Sequence, residues 1–169
     1  MTAIRQATLA DAHAIATIHV QSWQHAYADI LPAEALAALS VPEREAMHQR
    51  NLARSDAHYL VAERNGDIIG FATWGITDME GAMLYSLYMA PTAMGEGVGG
   101  RLLATAEDEM SHAGATAAIL HVLISNLPTR RFYERHGWQL VPQSDQKEEF
   151  FGISVNTVTY HKMLTTPAS

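Results

Sequence analysis

The chain has 169 residues, 48% of them hydrophobic and 17% charged, with a formal net charge of −7. That length supports one domain with a full core, and the acidic balance disfavours a nucleic-acid partner while mildly favouring a cationic small molecule. There is no cysteine, which excludes a disulfide framework, a thiolate metal site and a cysteine nucleophile.

No apolar run nears the roughly 20 residues of a membrane span. The opening segment MTAIRQATLADAHAI lacks the basic-then-apolar layout of a signal peptide. The cytoplasm is the expected compartment, with no membrane partner.

Taken in chain order, AIRQAT reads as a first strand, and Thr8 or Asp11 then caps a long helical stretch with Ile15, Ile18, Ser22 and Ala26 along one face. LPAEALAALS and VPEREAMHQRNLAR read as two shorter helices, each with proline near its start. HYLVAERNGDIIGFATW is a hairpin, because Asn65-Gly66 supplies the positive φ angles of a tight primed turn. AMLYSLYMA is a strand ended by Pro91, and Gly97 to Ala113 is a helix with Val98, Leu102, Leu103, Ala106 and Met110 at helical spacing. ATAAILHVLIS reads as an apolar strand buried on both faces. Asn126 to His136 is a helix stopped by Gly137, and WQLV and SVNTVTYHKML are strands around an acidic loop at Asp145 to Glu149. This order predicts a single mixed α/β (α+β) domain over residues 1–169, built on one mostly antiparallel sheet of about seven strands flanked by helices.

The segment MAPTAMGEGVGGRLL carries four glycines, Gly95, Gly97, Gly99 and Gly100, where a strand gives way to a helix. A helix start has four N–H groups without partners and the positive end of the macrodipole. Removing side chains there lets a phosphate reach the backbone, so the cluster reads as an anion cradle. One glycine would satisfy a tight turn. A Walker loop fails, because Arg101 and Leu102 stand where Lys and Ser/Thr are required. The dinucleotide pattern is formally met by Gly95, Gly97 and Gly100, yet no Asp or Glu lies between Gly114 and Asn126 to hold a ribose. The pyrophosphate of coenzyme A asks for the same backbone donors.

Here the sequence resembles the GNAT-type N-acetyltransferase superfamily. Met94-Gly95-Glu96-Gly97-Val98-Gly99 matches its cofactor loop, Q/R-x-x-G-x-G/A, except that Met94 replaces Gln or Arg. NLPTRRFYERHGW resembles the family's second cofactor segment through Asn126, Phe132, Tyr133, Gly137 and Trp138, with Thr129 where a small alanine is usual. The resemblance runs in element order from Ala3 to Met163, and it implies acetyl transfer from acetyl-CoA to a small-molecule or peptide amine in a ternary complex. It places the cofactor against Leu87, Tyr88 and Met89, against Met94 to Arg101, and against Asn126, Phe132, Tyr133 and Arg135. The thioester carbonyl would meet a backbone N–H near Leu87 to Met89, and pantetheine would lie along that strand like an added peptide. Arg130, Arg131 and Arg135 either reach a 3′-phosphate or are solvated.

Tyr133 falls where the family's tyrosine protonates the departing thiolate; the plain alternative is a packed core tyrosine. Many relatives place a basic glutamate where Ser86 stands, which leaves a water relay or a carboxylate such as Asp78 or Glu80. His19, Trp23 and Tyr27 recur every fourth residue, as in a bacterial subgroup with a His, Ser-Trp and Tyr first helix that borders the acceptor; such a stripe is more often core. The nine histidines show no ligand-pair spacing, so no metal is expected. The resemblance also implies pairing of two copies through the later strands. A catalytically silent acyl-CoA sensor or assembly module is the alternative to an enzyme, given Met94 and Ser86.

Overall fold

A computed structural model describes residues 1–77, 81–150 and 152–165. Asp78 and Glu80, the two carboxylates considered above as bases, lie outside the described residues. The first strand, β1 (Thr2–Gln6), leads through a 3-10 turn into α1 (Ala12–Ala26). Asp11 fixes that entry. Its carboxylate accepts from the Thr8 backbone N–H at 2.8 Å and takes both terminal nitrogens of Arg5, at 2.9 and 3.0 Å. The guanidinium beside it, helped by the Thr8 N–H, holds the Asp11 carboxyl below the usual carboxylate range despite partial burial.

Two helices follow, α2 (Ala33–Ala37) and α3 (Val41–Leu52), the second capped by the Ser40 hydroxyl. The hairpin forms as expected: β2 (His58–Arg64) and β3 (Asp67–Ile76) meet at Asn65 and Gly66, with φ of 53° and 85°. Then come β4 (Gly81–Met89), α4 (Val98–His112), β5 (Ala117–Leu123) and α5 (Leu127–Arg135). Three strands close the described chain: β6 (Gln139–Leu140), β7 (Gln146–Phe150) and β8 (Ile153–Met163). The acidic run Asp145 to Glu149, expected as a loop, thus lies largely in a strand. Phe150 pairs Ile153 and Gln146 pairs Thr157, and the alternation sends Phe150 inward against Trp23, with ring centroids 5.5 Å apart.

The described strands form one eight-stranded sheet in the order β1-β2-β3-β4-β5-β8-β6, with β7 also on β8. All ladders are antiparallel except β4–β5. One face buries Trp74, Leu84, Leu120 and Val158 beneath Leu102, Leu103 and Met110 of α4 and Tyr133 of α5. The other face packs Tyr59, Val61 and Phe71 against Ile15 and Ile18 of α1, and Leu123 and Val155 against Trp23 and Tyr27.

Two features of β4 set up everything beyond the core. Its parallel pairing to β5 covers only Gly81 to Met83 with Ala117 to Ile119, so past Met83 the two strands part. A bulge also interrupts β3–β4, where Thr73 pairs Ser86 but Trp74 pairs Leu84, leaving Tyr85 as the extra residue.

The α1 face contains a buried histidine pair. His19 Nδ1 lies 3.0 Å from His48 Nε2, and His48 Nδ1 lies 2.8 Å from the Tyr59 hydroxyl. Burial, with His48 and Arg44 nearby, pushes His19 down to about 3, and burial with Arg44 nearby pushes His48 down to about 4. Both stay neutral when folded and charge only on unfolding. Folded pKa values below the unfolded value of about 6.5 mean stability present above that pH and lost as pH falls toward 4. Urea unfolding at stepped pH should show a loss of about 4 kcal/mol between pH 7 and pH 5, shared between the two rings. His19→Gln, which cannot take a proton, should cut that slope to about half.

Candidate active site

The parting of β4 and β5 opens a cavity of about 570 Å³ that passes between the strands. Its walls are Leu84 to Met89 of β4, Leu120 to Leu123 of β5, the glycine loop, one side of α5 and the end of α1. From Leu84 onward β4 is paired only on its β3 side, and the β5 residues beyond Ile119 only on their β8 side. Main-chain groups on both lips of the gap therefore have no strand to bond.

At one end lies the loop. Gly97 holds φ of 81° as the residue before the helix, a left-handed conformation that a side chain would strain, and Gly95 has the same φ. The first intrahelical bond of α4 is donated by the Arg101 N–H to the Gly97 carbonyl at 3.3 Å. The amides of Val98, Gly99 and Gly100 precede it, make no bond among the described residues, and stand on the cavity wall. A pyrophosphate fits this cradle: the donors are bare and no Cβ shields them. Met94 and Arg135 line the same end, Met94 being 54% exposed.

Two of the expected cofactor residues are turned elsewhere. The Glu96 carboxylate accepts from Arg64 at 2.9 Å, and Arg101 donates to the Thr2 carbonyl at 3.1 Å; neither is on the cavity wall. Arg130 is also committed, to the Tyr160 hydroxyl at 3.0 Å and the Ile124 carbonyl at 2.8 Å. Among the three arginines considered, Arg135 alone faces the cavity.

In the middle of the gap stands Tyr133, 6% exposed. Its hydroxyl has no hydrogen-bond partner among the described residues and its ring lines the cavity. Burial, with Tyr27 nearby, raises its phenol well above the ordinary value. Asn126 caps α5 through its side-chain oxygen, which accepts from the Thr129 N–H at 3.4 Å, and donates its amide to the Tyr27 hydroxyl at 3.3 Å. Phe132 sits between Tyr133 and His136, with centroids 5.3 and 4.4 Å away.

The far end is aromatic. Trp23 and Tyr27 pack edge to face at 4.6 Å, and both line the cavity with Phe150, Tyr85 and Ser86. The third member of the predicted stripe does not. His19 is buried one turn earlier, bonded to His48 and stacked on Tyr88 at 5.1 Å, beneath the cavity wall instead of on it. Helical spacing placed it on the correct face but not at the correct depth. Tyr85, 57% exposed, and Ser86 also border a second recess of about 470 Å³ on the same face, beside Met47 and His48 of α3.

The sequence reading passed over His121. It lies on β5 facing the α1 side, on the cavity wall, with its Nδ1 2.9 Å from the Thr159 hydroxyl. The signal was present as a lone polar side chain in an otherwise apolar strand. No helix among the described residues is long and apolar enough to cross a membrane, and no group of three described His, Asp or Glu residues could hold a metal.

The model of the acetyltransferase (GNAT) family matches residues 12–138. The chain belongs to this family. It is 29% identical over 163 residues to an uncharacterized N-acetyltransferase of Bacillus subtilis, YuaI, covering 94% of this chain and 91% of that protein. Its fold is that of the PaiA N-acetyltransferase of Thermoplasma acidophilum, solved with coenzyme A, at a TM-score of 0.79 and 22% identity over 96% of this chain and 99% of that one. It is also that of YncA of Salmonella typhimurium, solved with acetyl-CoA, at 0.74 and 24% identity over 100% and 97%. This GNAT chain is an acetyl-CoA-dependent acyltransferase, with acetyl-CoA as co-substrate.

The end of β4 in this GNAT domain is pinned to α1 by two bonds. The Ser22 hydroxyl donates to the Met89 carbonyl at 2.8 Å, and the Trp23 indole donates to the Tyr88 hydroxyl at 3.0 Å. Trp23→Phe removes that donor from the Tyr88 phenol and leaves a void where the buried indole packed, so denaturant unfolding should show a loss of about 2–3 kcal/mol.

Proposed function

We propose that this acetyltransferase moves the acetyl group directly from acetyl-CoA to a primary amine held in the same cleft. The observation that carries the reading is one continuous cavity with three bare helix-start amides at one end, an aromatic chamber at the other, and an unpartnered phenol between them. In this reading Val98, Gly99 and Gly100 bind the pyrophosphate through their N–H groups, with Gly95 and Gly97 shaping the turn. Arg135 offers a cation to the remaining phosphate. Pantetheine runs along the free edge of β4 beside Leu87, Tyr88 and Met89, taking the place of the strand that the gap removes.

The bound co-substrate supplies a thioester already activated for attack. The chain's own residues do the rest. A backbone N–H of the β4 edge polarises the carbonyl oxygen. Tyr133 gives its proton to the departing sulfur. Burial that weakens the phenol as an acid also denies the nascent thiolate its hydration, so the two basicities rise together and the transfer stays matched. Trp23, Tyr27 and Phe150 exclude water and form the acceptor's chamber, which suits an amine with an apolar body whose cationic head is drawn by the acidic chain.

Gly99→Asp separates binding from folding. A Cβ there meets Met89 and Phe132 only at 3.7 Å, an ordinary contact, and a carboxylate in the first helical turn favours the helix. Calorimetry should find one acetyl-CoA site in the wild type and at least tenfold weaker binding in the variant, at unchanged melting temperature. Equal affinity would remove the cradle from the reading. Tyr133→Phe, assayed with 2-phenylethylamine, an aliphatic diamine and an alanine-started peptide, should lower kcat about 100-fold while leaving the acetyl-CoA dissociation constant alone. A wild type that binds acetyl-CoA but acetylates none of them would be a binding module, not an amine acetyltransferase.

A further inference from the structure

We propose that His121 is the base that deprotonates the acceptor amine, held in the required tautomer by Thr159. The proposal rests on the amine-transfer reading above.

Ser86 has no basicity to offer, whereas the opposite lip of the gap carries an imidazole, that of His121. The parallel register pairs Met83 with Ile119, and two residues further His121 comes level with Tyr85 across the opening. Val122 points into the core beneath α4 and α5, whereas Leu123 packs with Trp23 and Tyr27. Alternation therefore puts His121 on the acceptor side, opposite Tyr133, which belongs to the α5 side. A base on one face of the sheet and an acid on the other, meeting through the gap, suits a carbonyl carbon attacked from one side that expels sulfur toward the other.

Orientation comes from β8. His121 pairs Thr159 in the β5–β8 ladder, and the Thr159 hydroxyl lies 2.9 Å from Nδ1. The Gln146 side-chain amide is 3.3 Å from the same nitrogen and can present its oxygen to it by turning over. With Nδ1–H donating to these oxygens, Nε2 is the bare acceptor. Among the described residues Nε2 has no partner. The titratable groups on the same cavity wall are Tyr85 and Tyr88 of β4, His25 and Tyr27 at the end of α1, Tyr133 and Arg135 of α5 and His136 just after it, with Glu148 of β7 beside Thr157. Glu148 is occupied by the Thr157 hydroxyl at 2.6 Å.

The protons balance. The acceptor arrives as an ammonium, and Nε2 takes the proton that masks its lone pair and releases it to water at the cavity mouth. The nitrogen bonds to the carbonyl carbon as the carbon–sulfur bond breaks, and the sulfur takes the Tyr133 proton. The acylated nitrogen then gives up its second proton, which restores the Tyr133 phenol. The sum is ammonium plus thioester giving amide, thiol and one proton.

Two measurements on the full chain test this. Long-range nitrogen–proton NMR of histidine-labelled protein at pH 8 should show His121 with Nδ1 protonated and Nε2 bare, and Thr159→Val should scramble that tautomer. An Nε2–H ring in the wild type overturns the proposal, whatever amine is acetylated. In the assay with 2-phenylethylamine, the diamine and the peptide, His121→Asn keeps a hydrogen bond to Thr159 but has no Nε2. It should lower kcat/KM about 100-fold and move the acidic limb of the pH profile up to that of the free amine, whose neutral fraction alone then reacts. The acetyl-CoA dissociation constant should stay within twofold. A variant within threefold of an active wild type, or one whose acidic limb stays where the wild type has it, overturns the role of His121 and leaves the transfer reading standing. A wild type inactive on every amine removes the transfer reading itself.

Discussion

Everything functional in this molecule depends on a ladder that stops early. β4 and β5 share a parallel register for three residue pairs and then separate. A sheet that stayed closed would bury its strand edges in mutual hydrogen bonds and offer no way through. By parting, the strands leave main-chain donors and acceptors facing one another across a space too wide to bridge. That unmet bonding capacity is costly unless water or a ligand answers it. The core does not compensate locally; it lies on either side, in the α4 and α5 layer and in the α1 and α3 layer, and holds the lips rigid from behind.

The two layers meet the gap with different chemistry. The α4 side brings a helix start, backbone amides and a phenol, which suit phosphate and sulfur. The α1 side brings indole, phenol and imidazole rings, which suit an organic amine. Tyr88 joins them: its hydroxyl takes the Trp23 indole proton, its ring stacks on His19, and it sits on the free length of β4. Burial raises that phenol well above its ordinary range, and the Trp23 N–H donated to it ties it into the packing between β4 and α1. Tyr133 shares the burial but has no hydrogen-bond partner among the described residues, and in the proposed transfer that difference leaves its proton free for the sulfur.

Much of this was legible in the sequence, for identifiable reasons. A glycine cluster before a helix has few uses, and Asn65-Gly66 has fewer; both concern backbone conformation, which the residues themselves dictate. Depth and side-chain direction are set by the rest of the fold and were not legible. His19 shares a helical face with Trp23 but lies a turn deeper. Arg101 follows the loop in sequence yet swings back to β1. The run Asp145 to Glu149 has the charge of a loop, and only pairing with β8 makes it a strand. His121 was visible as a lone polar residue in ILHVLIS, but nothing in that strand says that a gap will expose the face it sits on.

The bulge at Tyr85 has a consequence for how such a strand can change over time. Before it, Ala82 and Leu84 face the α4 layer; after it, Leu87 and Met89 do, so the even–odd rule inverts at one residue. The strand is thus written in two reading phases joined by a single inserted position. Exchange of one side chain for another alters one wall of the cleft. Loss of the inserted residue would restore plain alternation with Leu87 and Met89 still facing inward, and would remove the bend and added twist that the bulge gives β4 just past its pairing with β5. Residue type in this segment therefore sets the walls of the cleft, while its length sets the course of the strand.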